Sequence, residues 1–409
     1  MSGKPQNRDV WIEIMRYFQI SLTRDKADNI KIRRRTLLSL ALTSPGLTSI
    51  ALDELWRSMS SLTPVVQILN NTSSLVSGAN NPALQWNSDH WEIKSLSRNK
   101  TGKLISIVSP YLLRIERLHY QNFPSQEEYM LWQALGTFDE LNPLCPRLRE
   151  LSIFIHYNTA ASWAYHISPL ISSPSMATIR LNTQVGYLNS EMAACIMLDT
   201  LKYRRIGITS ISYTGNTSYR VLLRAMSFTT LESVALPSRR QDGSSLTPAH
   251  ITSFYRIKNL SSLDVHLSHF DDPRALEDFG KWLQTIGSES LSSITFRGLL
   301  KDVYTCIQNR TSMTSINSFG VYIEDVHNNS AVHLSTIISR LPIIAPNLHT
   351  LHVEVISGSQ LTLLSLSDLL SLRDMPIRSL AIYRSMVLAS PTKGLIDIIS
   401  TWATLRNIL

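Results

Sequence analysis

Two histidine pairs at i, i+3 spacing, His266/His269 and His349/His352, are the residues whose types and spacing come nearest to chemistry. Such a pair ligates a metal from a helix, where both side chains share a face, and it still needs a third donor. His266 and His352 fall instead in segments that alternate apolar and polar residues, the pattern of a strand, in which i and i+3 point to opposite faces. Asp271-Asp272 stands just before Pro273 and reads as a helix cap, since no sequence neighbour would drive the two pKa values apart as an acid–base pair requires. Cys145, Cys195 and Cys306 are odd in number and widely spaced, so they are expected to be buried thiols outside any disulfide or zinc site. The chain contains no His-Glu-x-x-His, Gly-x-Ser-x-Gly, phosphate-loop or EF-hand pattern. The expectation is a binding protein with no catalytic residues, no metal and no cofactor.

The elements that position these residues follow from composition and pattern. Over 409 residues, 44% hydrophobic and 17% charged content is that of a folded protein. The length calls for two domains or a repeat array. The formal net charge of +8 is unevenly spread: residues 1–60 hold ten Lys/Arg against six Asp/Glu, which leaves +4 for the other 349 residues. So even a balance argues against a nucleic-acid partner. The cluster Lys31-Ile32-Arg33-Arg34-Arg35 reads as the charged part of an exposed helix. No apolar run reaches secretory or membrane-spanning length, so no membrane partner is expected and the location is expected to be cytoplasmic or nuclear.

A three-point motif, apolar-x-x-apolar-x-apolar, recurs ten times. The copies are Ile115-Leu118-Tyr120, Leu148-Leu151-Ile153, Met176-Ile179-Leu181, Ile208-Ile211-Tyr213, Leu231-Val234-Leu236, Leu260-Leu263-Val265, Leu291-Ile294-Phe296, Ile316-Phe319-Val321, Leu348-Leu351-Val353 and Ile377-Leu380-Ile382. Successive copies start about 29 residues apart, at the upper end of the leucine-rich-repeat range, and Leu405-Arg406-Asn407-Ile408 opens another. Each copy ends in period-two alternation and is therefore a predicted strand. Helical patterns lie between them, at 191–198, 219–226, 273–286, 331–341 and, after Ser390-Pro391, 390–404. Strand and helix in such alternation predict an α/β leucine-rich-repeat solenoid of about ten irregular repeats, with parallel strands on the concave side. The polar members of each strand would line that side. Arg117, His119, Glu150, Arg180, Asp264, His266, Arg297, Tyr322, His352, Glu354 and Tyr383 are the larger ones, and small residues such as Ser210, Ser212, Ser233, Ser262, Ser293 and Ser379 separate them. This face is the predicted site for an unknown protein substrate. Arg180, Arg297, Tyr322 and Tyr383 are its expected anchors, and an acidic or phosphorylated target is the expectation from the arginines.

Ahead of the repeats, Val10, Trp11, Ile14 and Phe18 form a helical stripe. A polar loop is expected next, then helical segments at 36–43 and 46–59, with Ser44-Pro45 between them. Residues 70–74 and 77–82 read as loops, although Trp86 and Trp91 point to a docked segment. Residues 8–64 resemble the F-box domains of fungal F-box proteins, through Val10-Trp11-Ile12-Glu13-Ile14, Leu37-Leu38-Ser39-Leu40-Ala41-Leu42-Thr43, Ala51-Leu52-Asp53-Glu54-Leu55-Trp56-Arg57 and Ser61-Leu62-Thr63-Pro64. The family's usual Leu-Pro-Pro opening is Gln6-Asn7-Arg8 here. The resemblance implies an all-helical F-box-like module at 1–64, then a connecting region at 65–110 and the solenoid at 111–409. It also implies that Val10, Trp11, Ile14, Phe18, Leu37, Leu40, Ala41, Leu47, Leu55 and Trp56 support docking onto a Skp-family adaptor and through it a cullin-RING ubiquitin ligase. On the other reading these helices only cap the first repeat of an interaction scaffold.

Overall fold

The computed structural model describes residues 10–11, 14–15, 18, 26–77, 84–87, 90–93, 106–120, 128, 143–155, 167–183, 188–215, 219–239, 245–308, 313–324, 330–356, 362–364, 366–383, 386–388 and 405–408. The chain divides into two compact units, Met1–Gln184 with Met192–Gly207, and Val185–Glu191 with Ile208–Leu409. The expected boundaries at 64 and 110 both fall inside the first unit.

In the first unit α1 (Ala27–Thr43) and α2 (Pro45–Arg57) pack on each other. Ser44 is extended between them and Pro45 takes the first helical position, where its missing N–H costs nothing. The Thr48 hydroxyl then donates to the Ala41 carbonyl at 2.8 Å and ties the corner. Met15, Leu37, Ala41, Leu47 and Ala51 form the core of this pair, with Trp11, Phe18, Ile30, Leu40, Ile50, Leu52 and Leu55 packed around it. Helix α1 starts earlier than expected, because Ile30 and Arg34 continue the inward stripe of Leu37 and Ala41 at helical spacing. Arg34 is accordingly turned in, its Nη2 donating to the Ser58 carbonyl at 3.4 Å, while Lys31 and Arg35 stay exposed. The basic cluster is thus not uniformly exposed. After β1 (Ser58–Met59), α3 runs Thr63–Ser77, where a loop was expected at 70–74. Buried Leu62, Val65, Val66 and Leu69 anchor its first turns and the helix propagates from them. Strands β2 (Leu84–Asn87) and β3 (His90–Ile93) form an antiparallel hairpin with Trp86 opposite Trp91. Of the expected loop at 77–82, Ser77 is the last residue of α3 and 78–82 lie outside the described residues.

Strands β4 (Arg117–His119), β5 (Glu150–Ile155) and β6 (Thr178–Thr183) are parallel and in sequence order, with α4 (Ser168–Ile171) before β6 and α5 (Leu188–Tyr203) after it. Strand β1 pairs parallel with β4, Ser58 opposite Arg117, so the N-terminal helices lead directly into the edge of this sheet.

The second unit contains β7 (Ser210–Thr214), α6 (Tyr219–Ala225), β8 (Ser233–Leu236), α7 (Pro248–Ile251), β9 (Ser262–His266), α8 (Pro273–Glu289), β10 (Ser293–Gly298), α9 (Leu300–Ile307), β11 (Ser318–Ile323), α10 (Ser330–Ile344), β12 (Thr350–Val355), β13 (Thr362–Leu364), α11 (Leu366–Leu370), β14 (Ser379–Tyr383), β15 (Met386–Leu388) and β16 (Asn407–Ile408). Eight of these strands pair parallel in the order β7-β8-β9-β10-β11-β12-β14-β16, and β13 pairs separately with β15. The sheet register aligns the motif copies. Ile211, Val234, Leu263, Ile294, Phe319, Leu351, Leu380 and Ile408 follow one another as direct partners.

All ten predicted strands are present, and every apolar motif position is buried except Ile382, which is half-buried. In nine motif copies the residue after the first position carries a recurring bond. Its carbonyl accepts from two successive N–H groups of the next strand: Thr209 from Glu232 and Ser233, Glu232 from Ser261 and Ser262, Ser261 from Ser292 and Ser293, Ser292 from Asn317 and Ser318, and onward through Asn317, His349 and Arg378. The same device joins Glu116 to Arg149–Glu150 and Arg149 to Ala177–Thr178 in the first unit. Backbone groups are paired this way from strand to strand, and at two steps a hydroxyl adds to the bond, Ser261 Oγ donating to the Glu232 carbonyl and Ser292 Oγ to the Ser261 carbonyl, both at 2.9 Å.

The helices close the other face of the sheet. In α8 the Asp272 side chain accepts from the Arg274 N–H at 2.9 Å, as the Asp-Pro start predicts. Trp282, fully buried, donates from Nε1 to the Phe254 carbonyl at 3.0 Å and meets Phe254 edge-on. The three cysteines are buried and form no disulfide, and burial pushes the Cys145 thiol well above its ordinary range. The predicted helix at 390–404 lies outside the described residues.

Candidate functional site

The half-exposed side of each strand in the second unit forms three in-register columns. The first is hydroxyl-lined: Ser210, Ser233, Ser262, Ser293, Ser318, Thr350 and Ser379 are successive partners. The second runs Ser212, Ala235, Asp264, Thr295, Gly320, His352, Ala381, and the third runs His266, Arg297, Tyr322, Glu354, Tyr383. Across the last two columns a diagonal stack assembles. Asp264 takes a two-pronged bond from Arg297, Nε to Oδ1 at 2.8 Å and Nη2 to Oδ2 at 3.0 Å. The Arg297 guanidinium lies 3.9 Å over the Tyr322 ring. Tyr322 stacks on His352 with centroids 4.8 Å apart, and His352 meets Tyr383 at 5.2 Å, tilted by 46°. His352 Nε2 also lies 3.4 Å from Glu354 Oε2.

Burial works against the Arg297 cation, but the Asp264 carboxylate more than offsets it and holds the guanidinium's pKa above its usual value. Arg297 is therefore not the free fork that an acidic target would need, contrary to the expectation from its type and position. His266 differs too. It is buried rather than displayed, with its Nδ1 accepting from the Ser268 N–H at 3.1 Å and its Nε2 placed 2.8 Å from Glu324 Oε1. An accepting Nδ1 leaves the ring proton on Nε2, facing Glu324, whose pKa falls below the usual carboxylate range through that hydrogen bond. The ring reaches Glu324 by crossing Gly298, which has φ +127° and where a Cβ would stand 3.3 Å from His266 Cε1. Glu324 was not foreseen. The signal available was its place two residues beyond Tyr322, on the same strand face.

In the first unit His119, Glu150 and Arg180 form a smaller ladder. Glu150 Oε2 lies 3.6 Å from His119 Nε2 and its Oε1 lies 3.0 Å from Arg180 Nη2. The His119 bond, then Arg180 and Arg117, lower the pKa of the Glu150 carboxyl. His119 is buried rather than presented, whereas Arg180 keeps 46% of its side-chain surface exposed. Arg117 sits opposite both Ser58 and Glu150, which places the α2–β1 end beside this ladder. There Arg57 bonds buried Glu54, whose pKa is raised by burial, and Arg114 pairs with Asp53.

On the N-terminal helices the residues implicated by the F-box resemblance separate into two groups. Leu37, Ala41, Leu47 and Trp56 are buried, Trp56 against Tyr111 at 4.7 Å, and Trp11, Phe18, Leu40 and Leu55 pack partly around the same core. Leu37, Ala41, Leu47 and Trp56 hold the helices together, while Trp11, Phe18, Leu40 and Leu55 keep part of their surface exposed. Val10 and Ile14 point outward, and exposed Leu38 and Leu42 add apolar surface that the sequence reading had not assigned. Met15, at the centre of the core, was also missed, since the stripe was drawn through Ile14.

No group of His, Cys, Asp and Glu among the described residues forms a metal-binding cluster, and no described helix is long and apolar enough to cross a membrane. No protein-family model matches the chain, and no curated protein matches it either.

Proposed function

We propose that this chain is a substrate-recognition adaptor of an SCF-type cullin-RING ubiquitin ligase: its N-terminal helices, an F-box-like module, dock on a Skp-family adaptor, and its leucine-rich-repeat solenoid holds the target on the open sheet face. The observation that carries the docking half is the exposure of Val10, Ile14, Leu38 and Leu42 on helices whose own core is already filled. Apolar side chains left out of a closed core mark a surface completed by another protein. The repeated strand register and the row of outward polar residues support the target-holding half.

A second reading is favoured by one observation. Strand β1 adds to the edge of β4, and Arg57 and Arg114 tie α2 to the segment before it, as a solenoid cap would. On that reading the chain is an interaction scaffold with no ligase connection. The two readings part on Ile14→Asp with Leu38→Asp, which puts charge on the exposed apolar surface without entering the core. Loss of Skp-type adaptor co-purification, with an unchanged unfolding transition, supports the ligase adaptor. An intact chain that shows no association with purified adaptor at micromolar concentration refutes it.

A further inference from the structure

We propose that the β11–β12–β14 part of the open face seats a lysine or arginine side chain from an extended basic segment of a partner protein, with Glu354 and Tyr383 as its contacts. This rests on the reading of the sheet face as the target-binding surface and adds the chemistry of the target.

Glu354 stands in register between Tyr322 and Tyr383, one strand spacing of about 4.8 Å from each. His352, from the neighbouring column, touches both rings and the carboxylate, so it fixes all three. The two tyrosines are not equivalent. Arg297 and His352 each lie against the Tyr322 ring, whereas Tyr383 meets only the tilted His352 among the described rings and cations. Tyr383 therefore retains ring surface beside a carboxylate, and a cation placed there gains both a charge-assisted hydrogen bond and the attraction of the ring quadrupole.

The charge balance of the face points the same way. Arg297 is already neutralised by Asp264, while the facing partners of Glu324 and Glu354 are imidazoles. Counting histidines as neutral, Asp264, Glu324 and Glu354 against Arg239 and Arg297 leave these residues at a net −1, on a chain of formal charge +8. Arg297 and exposed Arg239 both act on Glu324, whereas Glu354 faces the His352 imidazole. An acidic target would meet like charge at this position, and a basic one meets its complement. Ser318, Thr350 and Ser379, half-exposed in the first column, supply hydroxyls for the backbone of the same segment.

The test pans a displayed library of random peptides on the intact chain and measures an enriched peptide by fluorescence anisotropy. Enrichment of Lys and Arg over Asp and Glu is expected, with affinity falling roughly tenfold or more on Glu354→Gln and on Tyr383→Ala. The same peptide should bind Tyr383→Phe normally, and all variants should keep the wild-type unfolding midpoint. Enrichment of acidic peptides that both variants release would overturn the basic target while sparing the sheet-face reading. Peptides whose affinity ignores both variants, or no enrichment at all, would sink both.

Discussion

Whether Arg297 is held or free decides what the sheet face can bind, and a double-mutant cycle on Asp264 and Arg297 measures it. The fork comprises two charge-assisted bonds of 2.8 and 3.0 Å, with 20% of the arginine and 25% of the aspartate side-chain surface exposed. Fully exposed pairs couple by about 0.2–1 kcal/mol, whereas removing one partner of a buried pair costs about 3–5 kcal/mol. This partly buried, two-pronged geometry falls between those limits, at a coupling of about 1–2 kcal/mol. Arg297→Ala should cost more than Asp264→Ala, because it also removes the contact over Tyr322, worth about 0.5–1 kcal/mol at such exposure. Urea unfolding of the wild type, both single variants and the double variant gives the coupling directly, and moderate salt should lower it only in part. A coupling below about 0.3 kcal/mol would mean that Asp264 does not hold the guanidinium. Arg297 would then be available to a carboxylate or phosphate, and the case for a basic target would lose its main support.

Two further outcomes are expected. Gly298→Ala forces a side chain onto φ +127° and against His266, so it should lower stability by about 1–3 kcal/mol in urea unfolding; a neutral substitution would show that the backbone there is not constrained. Glu150 has a folded pKa below its unfolded value, so its contribution is present above the ordinary carboxylate range and is lost as pH falls through that range towards the depressed folded value. The stability gap between wild type and Glu150→Gln should therefore narrow as acid is added from about pH 5 to about pH 3, and a gap independent of pH would remove Glu150 from the ladder.

The strands were legible because three buried positions per copy repeat with a spacing that only a stack of similar units needs. The register then followed without further information, Ile294 falling between Leu263 and Phe319 as the motif implies. Helix α1 was less legible, because its inward stripe includes Arg34, a residue that pattern reading assigns to solvent. A long aliphatic stem can line a core while its head reaches a carbonyl, and here the head finds Ser58. Helix α3 was hidden for a different reason. Asn70 to Ser74 have turn-forming composition, but four buried residues around its first turns outweigh local propensity.

The candidate site was legible as a set of positions and not as a set of partners. Alternation alone places Asp264, Arg297, Tyr322, His352 and Tyr383 on one face. It does not say that Asp264 and Arg297 meet diagonally, nor that the ring of His352 lies between two tyrosines. Those contacts join residues about 30 positions apart in sequence, and they are set by side-chain length across neighbouring columns. The consequence for binding runs against residue type. An arginine and a tyrosine at the centre of a face are the usual anchors of an interface, yet here each is engaged by its neighbours. What remains for a partner is at the edge of the stack, where Tyr383 has one neighbouring ring among the described residues and Glu354 faces an imidazole. The stack itself then serves to hold those two groups in place before anything binds, so less ordering cost falls on the complex.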